Sequence, residues 1–137
     1  MTDQNLDQIR RQMPETDERI IRLLELRAEL AREVGKIKET SGVEVYDPAR
    51  EAAMMSDFEK KVQDDILPAG YLKAIYREII SACRELQKPV TVACLGPAAS
   101  FTHLAAKSHF GGSTTFAFQS TISQVFDELE RGRVNLG

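Results

Sequence analysis

Apolar residues recur every three or four positions through most of the first 88 residues, and the rhythm changes after Pro89. The first helical pattern runs from about Leu6 to Thr40 and ends at Ser41-Gly42. Pro14 falls inside it and is expected to bend or divide it, because proline lacks an N–H and its ring crowds the preceding turn. A second helix opens with Asp47 as N-cap and Pro48 at the first helical position. It carries Met54, Met55, Phe58, Val62 and Ile66 on one face and stops before Pro68. The third spans Gly70 to Gln87, with Leu72, Ile75, Tyr76, Ile79, Ile80 and Leu86 as its apolar face.

Beyond Pro89 the run VTVACLG has the signature of a short buried strand. A turn at Gly96-Pro97 leads into a helical stretch, Ser100 to His109, then a strand-like run, Thr114 to Phe118, and an amphipathic helix from Ile122 to Arg131. This order predicts the opening of an alternating α/β domain, cut off at Gly137 where a further strand is expected. A sheet of so few strands is marginal by itself. The predicted architecture is therefore mainly all-α, with residues 1–88 forming a three-helix subunit and residues 89–137 a truncated α/β fragment.

A helix of about 35 residues spans roughly 50 Å, too long to bury its apolar face against two shorter partners. Antiparallel pairing with the same helix of a second subunit solves this, and an intertwined homodimer is expected. A coiled coil is the simpler alternative, but no strict heptad is sustained.

Some charges fall on the wrong side of these helices. In LRAELAREVGKIK, Leu26 to Lys38, the residues Leu26, Leu30, Ala31, Val34 and Ile37 share one side. Glu25, Glu29, Arg32, Glu33 and Lys36 share the other. Arg27 and Lys38, eleven residues apart, differ by only about 20° in azimuth and point toward the apolar arc. On the second helix Glu51 points inward with Arg50 at the edge of its arc, and on the third Cys83 and Gln87 do the same. Desolvating an unpaired charge costs several kcal/mol. Two readings fit: a salt bridge from Glu51 to Arg27 or Lys38, or a bound anion that balances the excess of cations. Asp47 is accounted for as a cap, although its helix start also presents free N–H groups. Arg10 lies seventeen residues before Arg27, about 25 Å along the helix, and could join the same pocket only from the other subunit.

Composition narrows the chemistry. The 137 residues carry a formal net charge of −3, which argues against a nucleic-acid partner. No apolar run reaches the length of a membrane span, and the N-terminus lacks a signal-peptide pattern, so a cytoplasmic protein is expected. Cys83 and Cys94 then read as reduced thiols. His103 and His109 lack helical metal-ligand spacing, and neither a metal nor another cofactor is expected.

The succession Arg10, DERIIRLLELRAELAREVGKIK, VYDPARE and EIISACRELQ resembles the all-helical class of chorismate mutase, as found at the N-terminus of bifunctional chorismate mutase–prephenate dehydratases. The likeness covers residues 6 to 88, and VACLGPAASFTHLAAKSHFG resembles the start of the dehydratase domain. It implies an isomerase that turns chorismate into prephenate in aromatic amino acid biosynthesis, as an intertwined dimer with shared sites. By the same resemblance Arg27 and the other subunit's Arg10 hold the two carboxylates. Lys38 contacts a carboxylate and the ether oxygen, Gln87 donates to that oxygen, and Glu51 accepts from the ring hydroxyl with support from Asp47. Arg50 matches a supporting cation, and Cys83 stands where a serine is common, a weaker donor.

An intramolecular Claisen rearrangement needs no nucleophile, metal or cofactor. It needs a dianion held in its compact conformer and donors for charge growing on the ether oxygen. Dehydratase activity is not expected, because the family's threonine-arginine-phenylalanine motif is not present and an alanine, Ala98 or Ala99, replaces a usual glycine in the opening loop. Alternative readings are an isochorismate pyruvate-lyase-like enzyme and a non-catalytic dimerisation or metabolite-sensing module.

Overall fold

Helical hydrogen bonding runs from Thr2 to Ser41 (α1). The computed structural model describes residues 2–62 and 66–137. Of the two outcomes expected at Pro14, a bend or a division, the division does not occur: α1 continues through it. Proline removes one donor only, leaving the Arg10 carbonyl without its usual partner. Residues 10 to 14 are exposed, so water can solvate that carbonyl while the flanking bonds persist. After α1, Gly42 turns the chain at φ 68°, and the Val43 N–H donates to the Lys38 carbonyl.

The second helix, Pro48–Lys61 (α2), starts as its sequence requires, with the Asp47 carboxylate accepting from the Arg50 N–H at 3.0 Å. It ends at Val62, and the predicted continuation over residues 63–65 lies outside the described residues. Ile66 was expected on its apolar face but is 91 % exposed. The third helix, Ala69–Gln87 (α3), packs against both α1 and α2. Its buried residues include Ile80, Ser81, Cys83 and Arg84, and Phe58 of α2 stacks obliquely on Tyr76 with centroids 4.1 Å apart.

The remaining elements are β1 (Thr91–Leu95), α4 (Phe101–Phe110), β2 (Thr115–Gln119) and α5 (Ile122–Glu130). The strands pair in parallel, Thr91 opposite Thr115 through Leu95 opposite Gln119, as a strand–helix–strand crossover demands. On the other edge of β1, Leu136 forms a parallel bridge with Val92, and the Ala93 N–H donates to the Leu136 carbonyl at 2.8 Å. β1 is thus central, and Val92, Ala93 and Cys94 are buried. Among the described residues no helix is long and apolar enough to cross a membrane.

The α/β segment docks on α3 at a glycine. Gly111, the C-cap of α4, has φ 87°, and a Cβ there would lie 2.6 Å from Ser81 Oγ. The neighbouring Gly112 N–H donates to Glu78 Oε2 at 2.8 Å. Tyr46 Oη and His109 Nε2 are 3.1 Å apart across the same junction.

Candidate active site

A cavity of about 220 Å³ lies between the C-terminal part of α1, the start of α2 and the end of α3. Arg27, Leu30, Ala31, Val34 and Lys38 form its α1 wall, a stripe that follows the helical repeat. Asp47, Arg50, Glu51 and Met54 come from the start of α2, and Ile80, Cys83, Arg84 and Gln87 from α3. Seven sequence-predicted residues therefore line one cavity: Arg27, Lys38, Asp47, Arg50, Glu51, Cys83 and Gln87. Arg10 is not brought to it within the subunit. It is exposed on α1 and faces Asp7 at 3.8 Å.

The salt bridge expected as one reading, from Glu51 to Arg27 or Lys38, does not form. Arg84 takes Glu51 instead: Nε donates to Oε1 at 3.0 Å, and Nη2 reaches Oε1 at 2.8 Å and Oε2 at 2.9 Å. This fork-to-carboxylate geometry is the strongest kind of side-chain pairing. The Arg84 side chain is only 4 % exposed and that of Glu51 24 %. The Arg84 guanidinium also lies 5.1 Å from the Tyr46 ring centroid. Burial raises the Tyr46 phenol above its ordinary value, with Glu51 adding to the rise and Arg84 opposing it.

Lys38 is held from the loop rather than by a carboxylate. Its ammonium donates to the carbonyls of Glu44 at 3.0 Å and Val45 at 3.1 Å. An ammonium has three N–H donors, so one remains for the cavity. Among the described residues no ion pair involves Arg27, Lys38 or Arg50. Four cations against two carboxylates leave the lining with a surplus of two positive charges.

Gln87 Oε1 is buried without a hydrogen-bond partner, and it is the one such side-chain atom among the described residues. A half-turn of the amide would present Nε2 from the same place. Its backbone is set by Gly35 of α1, where a Cβ would lie 2.8 Å from Gln87 Cα and 2.9 Å from its carbonyl oxygen. The missing side chain lets the two helices close together beside Lys38. A second cavity of about 620 Å³ shares Lys38 and Gln87 with the first and extends to Asn135 and Leu136.

Arg84 was missed by the inward-facing set. It lies four residues after Ile80, about 40° round the helix, a position that Arg77 shares. An arginine in a last turn is also explained by the helix dipole, which hides the signal.

A family model described as chorismate mutase type II matches residues 9–88, and one for prephenate dehydratase matches residues 92–137. A bifunctional chorismate mutase/prephenate dehydratase of Aquifex aeolicus is 41 % identical over 137 residues, covering 98 % of this chain and 38 % of that protein. The protein of the same name from Stutzerimonas stutzeri is 34 % identical, with 96 % and 37 % covered. That from Neisseria gonorrhoeae is 36 % identical, with 83 % and 31 % covered. The chain thus spans less than two-fifths of the length of these relatives. With the family model matched across all three helices that build the cavity, the chain belongs to the type II chorismate mutase family.

Proposed function

We propose that residues 1–88 form a catalytic domain that converts chorismate to prephenate in the cavity between α1, α2 and α3. The observation that carries this reading is the cavity's surplus of two positive charges beside Gln87, whose buried amide oxygen has no partner. A dicarboxylate supplies the missing negative charge, and its ether oxygen accepts from Gln87 Nε2 once the amide is turned by half a turn. Arg27 binds one carboxylate, and Arg10 of a second subunit binds the other. Lys38 directs its remaining N–H to the ether oxygen, with Gln87 on the same atom. Glu51, oriented by Arg84, accepts from the ring hydroxyl near the N–H groups at the start of α2. Arg50 adds positive potential, and Cys83 packs at the wall as a weak donor.

The rate gain in this reading comes from two sources. The cationic clamps hold the flexible dianion with its reacting carbons close. Donors fixed in advance around the ether oxygen favour the charge that grows there as the carbon–oxygen bond breaks.

An antiparallel homodimer is part of the proposal. Leu6, Ile9, Met13, Ile20, Leu23 and Leu24 of α1 are all exposed in the single subunit, Leu23 by 66 %. A second copy of α1 covers such a stripe and delivers Arg10 near the middle of the helix. Residues 89–137 begin a second, dehydratase-like domain in this reading.

The test is chorismate consumption by the purified chain, with prephenate identified as product and Lys38→Ala measured beside it. The variant is expected to lose about 10²–10³ in rate. A folded wild-type chain that binds a bicyclic dicarboxylate analogue without turnover overturns the catalytic assignment in favour of a sensing module. Release of pyruvate from isochorismate, without prephenate formation, assigns the pocket to a lyase.

A further inference from the structure

Arg84 contacts two parts of the molecule that the sequence separates. One side of its guanidinium holds Glu51 at the mutase cavity. The other reaches into the α/β segment, where Nη1 donates to the Phe110 carbonyl at 3.3 Å and to Thr114 Oγ1 at 3.4 Å. Thr114 is itself buried, donates to the same Phe110 carbonyl at 3.2 Å, and lies 3.5 Å from Ser81 Oγ. All five contacts of the Arg84 guanidinium go to Glu51, Phe110 or Thr114, and its side chain is only 4 % exposed.

We propose that Arg84 is a positioning residue for the mutase reaction, and that the α/β segment acts on the mutase site through it. The proposal rests on the reading of the cavity given above. Glu51 Oε1 already accepts two N–H groups from Arg84 and Oε2 accepts one. A carboxylate oxygen has about two lone-pair sites, so Oε2 keeps one for a substrate hydroxyl. The direction of that site is set by the guanidinium plane, and the plane is set in turn by the Phe110 carbonyl and the Thr114 hydroxyl. Thr114 itself does not line the cavity. A change at Thr114, immediately before β2, therefore reaches the mutase chemistry without touching the substrate.

The experiment measures chorismate turnover by the whole chain for wild type, Thr114→Val, Thr114→Ser, Arg84→Leu, Glu51→Gln and the pair Arg84→Leu/Glu51→Gln. Misplacing a contact group by about 1 Å costs about 10²-fold. Arg84→Leu, which frees Glu51 entirely, is expected to lower kcat/KM by about 10–100-fold. Thr114→Val, which loosens one anchor of two, is expected to lower it by about 3–10-fold. The serine variant keeps the hydroxyl and restores wild-type kinetics. In the Glu51→Gln background Arg84→Leu costs less than about threefold more, because its route of action is already gone.

Equal losses for Arg84→Leu with and without Glu51→Gln overturn the proposal, since a structural role or a direct substrate contact behaves that way. Wild-type kinetics for Thr114→Val overturn the link to the α/β segment. A wild type without turnover overturns the mutase reading and this proposal together, which separates the two kinds of failure.

Discussion

Gly35 has no chemistry, yet its replacement tests how the site is assembled. An alanine Cβ there would lie 2.8 Å from Gln87 Cα, 2.9 Å from its carbonyl oxygen and 3.1 Å from its Cβ. Two of these are backbone atoms in the last turn of α3, so no rotamer change relieves the contact. Reaching ordinary van der Waals separation at 3.4 Å requires α1 and α3 to part by about 0.6 Å at Gln87. Overpacking of this kind costs about 1–3 kcal/mol, while alanine gains about 1 kcal/mol over glycine in a helix interior. The net loss of stability is about 0–2 kcal/mol, which leaves the chain folded. Catalysis suffers more, because Gln87 moves relative to Lys38. With about 10²-fold lost per ångström of misplacement, kcat/KM falls about tenfold or somewhat more.

Gly70 supplies the control. It lies in the first turn of α3 with nothing within 4 Å of where a Cβ would sit, so Gly70→Ala is expected to hold or raise stability and leave turnover unchanged. Steady-state kinetics by chorismate absorbance, with thermal unfolding run on the same samples, read both effects. Gly35→Ala kinetics within twofold of wild type would refute the claim that helix approach sets the donor geometry.

Three further outcomes are expected. Wild-type turnover stays nearly flat between about pH 5 and 8, because an amide donates without taking up a proton, whereas Gln87→Glu gains rate as pH falls toward the carboxyl's free pKa of about 4.3; a pH–rate profile of both proteins decides this. The raised phenol pKa of Tyr46 favours its protonated form in the folded state, so its contribution is complete below pH 10 and declines as pH rises through the folded value. The stability difference between wild type and Tyr46→Phe therefore shrinks above pH 10 in denaturant titrations, and a constant difference contradicts the assignment. Gly111→Ala combines a φ of 87° with a clash against Ser81 and is expected to destabilise the chain by about 2–4 kcal/mol, measured by the midpoint of chemical unfolding.

The elements were legible in sequence because their causes are local. Asp47-Pro48 starts α2, Ser100 caps α4 through the His103 N–H, and the 3.6-residue repeat marks the buried side of each helix. The same repeat exposed Arg27, Lys38, Glu51 and Gln87 as inward-facing, because a misplaced charge stands out against an apolar arc. Pro14 was expected to bend or divide its helix; α1 is not divided there, because hydration of one freed carbonyl on an exposed helix lets the flanking hydrogen bonds continue.

Partner choice was not legible. Glu51 could have paired with any inward cation, and the pairing with Arg84 depends on Phe110 and Thr114, which arrive 26 and 30 residues later in the chain. Gly35 reads in sequence as an ordinary weak point in a helix; only the crossing of α1 and α3 makes its missing side chain a requirement. Periodicity tells which groups leave water, since that depends on one helix at a time. Which group satisfies which depends on distances between helices, and those exist only once the tertiary structure has formed.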